Sequence, residues 1–91
     1  MELTELREQI DGIDAELLSL LERRMDVAAA IAEVKGRTGK PVLDQAREAE
    51  KLARIKRSCR EETGNGIAAV FETILAASRA HQTRILEERH G

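Results

Sequence analysis

The chain has 91 residues, fewer than the roughly 100 to 150 of a typical domain, so residues 1–91 are predicted to form one domain and a multi-domain enzyme is excluded. Hydrophobic residues make up 42% and charged residues 35%, with a net charge of −2, which excludes a disordered or collagen-like chain. The chain has no Trp or Tyr and one Phe, and its basic residues form no stripe, so nucleic acid is not an expected partner.

The cysteine and histidine residues argue against a disulfide bond and against a metal-binding site. Cys59 is the single cysteine, so no internal disulfide can form. Together with His81 and His90 it offers no zinc-ligand spacing, and we predict no metal and no cofactor. The sequence opens on charged residues without an apolar run of signal-peptide or membrane-span length, so a cytoplasmic location is expected.

A long first helix is predicted from about Thr4 to Arg37. Within this stretch there is no proline, the glycines are Gly12 and, next to its end, Gly36, and Thr38-Gly39-Lys40-Pro41 is the first stop signal. Apolar residues recur in alternating steps of three and four, which is typical of an amphipathic helix: Leu3, Leu6, Ile10, Ile13, Leu17, Leu20, Val27, Ile31 and Val34.

Two shorter helices follow. Asp44 is placed to cap a second helix that runs to about Cys59. The segment Glu62-Thr63-Gly64-Asn65-Gly66 is predicted to break the chain, and a third helix is predicted from Ile67 to Glu88. The predicted fold class is therefore all-α, with three helices of which the first is very long.

The length of the first helix predicts a dimer. A helix of about 33 residues is about 50 Å long, whereas a compact chain of this size has a radius of gyration of about 12 Å. Two shorter helices with fewer than about 40 residues together cannot cover its apolar seam. We predict an intertwined homodimer with two-fold symmetry.

Arg24 interrupts the apolar seam of the first helix. It either snorkels to solvent, pairs with a carboxylate such as Glu22, Glu48 or Glu50, or binds an anionic ligand. Lys35 lies eleven residues further on, about 20° from the same azimuth, so the two cations share a face and could clamp a small dianion. Lys35 taken alone could instead complement the helix dipole.

Other polar residues are predicted to face the same interior. On the second helix Asp44, Arg47 and Glu48 share a face, although a capping aspartate and ordinary surface pairs would also explain them. On the third helix Ser78 and Gln82 are four residues apart on an apolar face, where they are either satisfied core groups or ligand contacts. No nucleophile–base pair has a recognisable spacing.

These residues lie within a pattern that resembles the all-helical chorismate mutases, which are intertwined three-helix homodimers. The resemblance covers nearly the whole chain and rests on an ordered set of segments: Leu6-Arg7-Glu8-Gln9-Ile10-Asp11-Gly12-Ile13-Asp14, Leu20-Leu21-Glu22-Arg23-Arg24, Lys35, Pro41-Val42-Leu43-Asp44, Arg47-Glu48, and Ser78 with Gln82.

The resemblance implies a role for each of these side chains. Arg24 and, from the other protomer, Arg7 would bind the two carboxylates of chorismate. Lys35 and Gln82 would donate hydrogen bonds to its ether oxygen. The ring hydroxyl would be read by Glu48 and the Asp44 region, and the carboxylate side would be lined by Arg47 and Ser78. Distance agrees with the role of Arg7, because seventeen residues of helix put it about 25 Å from Arg24 along the axis.

The implied reaction is the intramolecular rearrangement of chorismate to prephenate, in aromatic amino-acid biosynthesis. It requires no nucleophile, metal or redox cofactor, and it would proceed through a held conformation and preorganised charge. Three alternatives remain open: an isochorismate pyruvate lyase of similar fold, a mutase acting on an amino-substituted chorismate, and a non-catalytic helical dimerisation module. Asp44 and Glu48 favour the mutase over the lyase, and Arg24 and Gln82 argue against the module.

Overall fold

The computed structural model describes residues 1–90; the side chain of His90 and all of Gly91 lie outside the described part. Three helices follow one another, α1 (Leu3–Thr38), α2 (Gln45–Ser58) and α3 (Glu61–His90), and the described residues contain no strand. The chain extends over 54 × 26 × 14 Å, with a radius of gyration of 16.4 Å. The predicted all-α fold with a very long first helix is confirmed.

Helix α1 ends where the sequence predicts a stop. Gly39 adopts a left-handed conformation with φ of 72°, which favours glycine because a Cβ atom would be strained there. The backbone N–H groups of Gly39 and Lys40 both donate to the carbonyl of Lys35. This cap turns the chain toward α2 and leaves Lys35 in the last turn of α1.

Helix α2 begins at the predicted cap. The side chain of Asp44 accepts a hydrogen bond of 3.0 Å from the backbone N–H of Arg47, which satisfies one of the free donors at the helix start. The helix ends at Ser58, one residue before the predicted end at Cys59.

The predicted break at Glu62–Gly66 is wrong. Helix α3 begins at Glu61 and continues through both glycines, and the turn between α2 and α3 consists of Cys59 and Arg60. Gly64 is buried, and a Cβ atom built there would lie 3.5 Å from the carbonyl oxygen of Lys56 and 3.7 Å from the Cβ of Cys59. A Cβ atom there would make ordinary van der Waals contacts, so Gly64 packs beside the end of α2 within a continuous helix and forms no turn.

The corrected start lengthens the third helix. Helices α2 and α3 have 14 and 30 residues, so they total 44 rather than the expected fewer than 40. The acidic pair Glu61 and Glu62 lies in the first turn of α3, where it complements the positive end of the helix dipole. This favourable charge offsets part of the low helix propensity of glycine, about 1 kcal/mol per residue.

The core is small and lies along α3, which packs against both α1 and α2. Its buried apolar residues are mostly small: Ala28, Ala32, Ala68 and Leu75. Two polar residues, Ser78 and Gln82, are also buried. Small side chains on α1 let α3 approach closely, and the buried polar pair lies where the helices meet.

The apolar seam of α1 is exposed in the single chain. Ile10, Ile13 and Leu17 are between 50% and 57% exposed, and the seam extends from Leu3 to Val34. A contiguous apolar face of this length marks an interaction surface. None of the described helices is long and apolar enough to cross a membrane.

Candidate active site

A pocket with a volume of about 290 Å³ lies between the three helices. Apolar residues of α1, of the α1–α2 connector and of α3 form one wall of the pocket: Val27, Ala28, Ile31, Val42 and Leu75. Its polar residues are Arg24 and Lys35 of α1; Asp44, Arg47, Glu48 and Lys51 at the start of α2; and Ser78, Arg79 and Gln82 of α3. Seven of the eight predicted site residues are thus brought together.

The two α1 cations border the same pocket, as their azimuths predict. Both Arg24 and Lys35 are half-buried. Lys35 Nζ donates a hydrogen bond of 2.7 Å to the carbonyl oxygen of Val42, which ties the end of α1 to the connector. An ammonium group has three N–H donors, so two remain for a ligand.

Arg24 pairs with no carboxylate in the described part of the chain. Of the carboxylates considered from the sequence, Glu48 pairs with Arg79, and Glu50 pairs with Arg54 at 2.9 Å. A half-buried guanidinium without a counter-ion is unfavourable unless an anion meets it. The ion-pair interpretation of Arg24 therefore has no support within the described part of the chain, and an anionic ligand would satisfy this guanidinium.

The α2 residues lie at the pocket mouth. Asp44 and Arg47 are exposed, and Glu48 is half-buried. One oxygen of Asp44 is engaged by the cap, so this side chain both starts the helix and borders the pocket. The capping and ligand-binding interpretations of Asp44 are therefore compatible.

Ser78 and Gln82 form the buried polar floor of the pocket, with exposed fractions of 7% and 6%. Gln82 Nε2 donates to Ser78 Oγ at 3.3 Å, while Gln82 Oε1 is buried without a hydrogen-bond partner in the described structure. An unpaired buried amide oxygen costs about 1 to 3 kcal/mol. Rotating the amide by a half turn would let the Ser78 hydroxyl donate to Oε1 and would leave the NH₂ group as the buried group with unused hydrogen-bonding capacity.

Two lining residues, Lys51 and Arg79, were missed in the sequence. Lys51 continues the α2 face of Glu48 by a step of three, and Arg79 lies four residues beyond Leu75 on the α3 face. Helical spacing was the available signal for both. On sequence alone a lysine or an arginine at such positions is typical of a solvated surface.

The pocket is cationic although the chain is not. Five basic side chains and two carboxylates line it, a formal charge of +3, whereas the whole chain carries −2. A concentration of one charge sign in a partly desolvated cleft attracts ligands of the opposite sign. The pocket therefore suits a small anion with more than one negative charge.

Arg7 lies apart from the pocket. It is exposed in the second turn of α1, and about 25 Å of helix separate it from Arg24. The structure does not bring Arg7 and Arg24 together within one chain. Any shared site would need a second copy.

The described residues form an all-helical fold with a cationic pocket and a buried amide, which suits a helical protein that binds a small anion. The family described as "Chorismate mutase type II" matches residues 6–83. The chain belongs to this family.

The curated relatives agree with the family. A chorismate mutase of Methanocaldococcus jannaschii is 35% identical over 89 residues, covering 94% of this chain and 89% of the relative. The bifunctional chorismate mutase/prephenate dehydratase of Aquifex aeolicus is 33% identical, over 92% of this chain and 25% of the relative. The T-protein of Enterobacter agglomerans is 50% identical over 52 residues, 57% of this chain and 14% of the relative. No solved structure matches the chain significantly.

Proposed function

We propose that this chain is an isomerase that rearranges chorismate to prephenate in the pocket between α1, α2 and α3. The observation that carries the proposal is the convergence of Arg24, Lys35 and the buried Gln82 on one cavity with a formal charge of +3. The reaction is intramolecular, so the protein has to hold a conformation and stabilise charge.

Two guanidinium groups hold the substrate carboxylates in this proposal. Arg24 supplies one, and its lack of a carboxylate partner among the described residues supports that role. Arg7 of a second copy supplies the other. Arg47 and Ser78 line the carboxylate side. Gripping both carboxylates keeps the enolpyruvyl arm folded over the ring, which replaces a rare solution conformer with a bound one.

Lys35 and Gln82 act on the ether oxygen. As the carbon–oxygen bond breaks, negative charge develops on that oxygen, and donors already in place stabilise it. The two spare N–H groups of Lys35 and the rotated amide of Gln82 are suitable donors. The burial of Gln82 strengthens its interaction because little water competes there.

Glu48 and Asp44 accept a hydrogen bond from the ring hydroxyl. This pair of carboxylates at the pocket mouth favours chorismate over isochorismate as substrate. Two of the relatives have chorismate mutase in their names and neither name includes an isochorismate pyruvate lyase, which supports the same choice. The cationic pocket and the orphaned amide oxygen argue against a purely structural module, since apolar residues there would be more stable.

The functional unit is an intertwined homodimer of single-domain chains. The exposed seam of α1 supports it, and the about 25 Å between Arg7 and Arg24 requires it if both contact one substrate. We place the enzyme in the cytoplasm and in aromatic amino-acid biosynthesis.

The test is to incubate the purified chain with chorismate, follow the loss of its ultraviolet absorbance, and identify the product. Prephenate formation, abolished by Lys35→Ala, is the expected result. Turnover of isochorismate to pyruvate without turnover of chorismate would establish the lyase instead. Inactivity toward both substrates in a folded dimer would favour the dimerisation module.

A further inference from the structure

One ion pair borders the pocket. Arg79 of α3 pairs with Glu48 of α2 through Nη1 and Oε1, and their side chains are 33% and 22% exposed. The other three ion pairs in residues 1–90 have side chains about half or more exposed and lie outside the pocket. The Arg79–Glu48 pair therefore differs from the surface pairs in burial and in place.

The geometry of this pair leaves binding capacity on Glu48. The contact uses Oε1, and the second carboxylate oxygen makes no hydrogen bond to a described residue. A glutamate has three rotatable side-chain bonds, so an anchor on a second helix restricts it strongly. Arg79 thereby holds Glu48 in one orientation and leaves its second carboxylate oxygen able to accept a hydrogen bond.

The charge of the pair has a second effect. A free Glu48 carboxylate would repel a dianionic ligand in the same pocket, and the adjacent guanidinium offsets that repulsion. Arg79 also makes the pocket more cationic than Arg24, Lys35 and Arg47 alone would. Arg79 thus affects a bound ligand in two ways, by orienting the Glu48 carboxylate and by neutralising its charge.

We propose that Arg79 is a positioning residue that aims Glu48 at the ring hydroxyl of the substrate and so contributes to substrate specificity. The proposal rests on the proposed function, in which Glu48 accepts that hydrogen bond. The proposal goes beyond the proposed function because it gives a role to Arg79, a residue that need not contact the substrate.

The test compares chorismate with an analogue that lacks the ring hydroxyl. Arg79→Gln removes charge compensation for both substrates but the aim of Glu48 only for chorismate, so it should lower kcat/KM for chorismate by about 10- to 100-fold more than for the analogue, the usual value of a hydrogen bond to a charged group. Arg79→Lys keeps the charge and one N–H contact, so it should recover most of the loss. Arg54→Gln breaks the exposed pair with Glu50 and is the matched control, with no effect on either substrate.

A double mutant separates positioning from a general structural role. If Arg79 acts through Glu48, adding Arg79→Gln to Glu48→Gln should cost less than about threefold further. Equal losses for both substrates, or fully additive losses in the double mutant, would overturn the proposal. An active parent with unchanged Arg79→Gln kinetics overturns the role of Arg79 alone, whereas an inactive parent overturns the proposed function and this proposal with it.

Discussion

A close contact between α1 and α3 near the pocket predicts the effect of one added methyl group. Gly36 follows Lys35 on α1, and Leu86 lies one turn beyond Gln82 on α3. A Cβ atom at Gly36 would lie 2.8 Å from Leu86 Cδ2, whereas ordinary contact begins at 3.4 Å. Gly36→Ala must therefore displace Leu86 or widen the gap between α1 and α3 beside the two proposed ether-oxygen donors.

The expected stability change is the difference between two opposing effects. Alanine stabilises a helix interior by about 1 kcal/mol relative to glycine, and overpacking costs about 1 to 3 kcal/mol. Because the atom that must move is the end of a flexible side chain, we place the packing cost near the lower limit. Gly36→Ala should then change the free energy of unfolding by between about 0 and −1 kcal/mol.

Gly66→Ala is the matched control. It lies within α3, and a Cβ atom there would meet nothing within 4 Å, so this variant should gain the full helix contribution of about 1 kcal/mol. Denaturant unfolding, followed by far-ultraviolet circular dichroism at fixed chain concentration, measures both variants. A gain in Gly36→Ala equal to that in Gly66→Ala would refute the close approach.

Activity provides the second measurement on the same variants. The strain that Leu86 does not absorb moves α1 away from α3, and a shift of a few tenths of an ångström between Lys35 and Gln82 should lower kcat by about 3- to 10-fold, because misplacement by about 1 Å costs about 100-fold. Adding Leu86→Ala frees the space and should restore kcat, even though it lowers stability. Parental kcat in Gly36→Ala would show that the spacing of α1 and α3 is not critical.

Three further substitutions test single side chains. Arg24→Met should leave the dimer as stable as the parent, or raise its free energy of unfolding by an amount near the lower end of about 1 to 4 kcal/mol. The same variant should reduce chorismate turnover by orders of magnitude. Destabilisation by about 3 to 5 kcal/mol in a denaturant titration would instead indicate a structural ion pair. Gln82→Glu should shift the pH–rate profile toward acid, because the introduced carboxyl must be protonated to donate, and an unchanged profile would remove Gln82 from the mechanism. Asp44→Ala should destabilise α2 by about 1 kcal/mol, whereas Asp44→Asn keeps the helix cap. Both variants lose the carboxylate proposed to bind the ring hydroxyl, so thermal unfolding, rather than activity, should distinguish them. Equal stabilities would contradict the capping role.

Helix periodicity predicted most of the fold because the relevant signals are local. The length of α1, its stop at Gly39 and the cap at Asp44 depend on neighbouring residues alone. The start of α3 was predicted wrongly because two nearby glycines are a local signal for a break, whereas Gly64 is buried within α3 beside Lys56 and Cys59, which are close to it only after α2 and α3 have packed.

Helical geometry predicted most of the residues that line the pocket, but not which of them form an ion pair. Arg24 and Lys35 share a face by arithmetic, and Ser78 and Gln82 stand out as polar residues on an apolar face. The choice of Arg79 as the partner of Glu48 could not be predicted, because 31 residues separate them and several other cations were available. Pairing between helices depends on the angle and offset at which they pack, which no local pattern specifies.

The central claim, a chorismate site completed by Arg7 of a second copy, is tested most directly by subunit complementation. Arg7→Ala and Arg24→Ala chains should each be inactive as homodimers. A heterodimer, isolated through an affinity tag on one chain, contains one intact site of two and should show about half of the parental activity per dimer. Heterodimers that form but stay inactive, or an Arg7→Ala homodimer with parental turnover, would contradict the shared site.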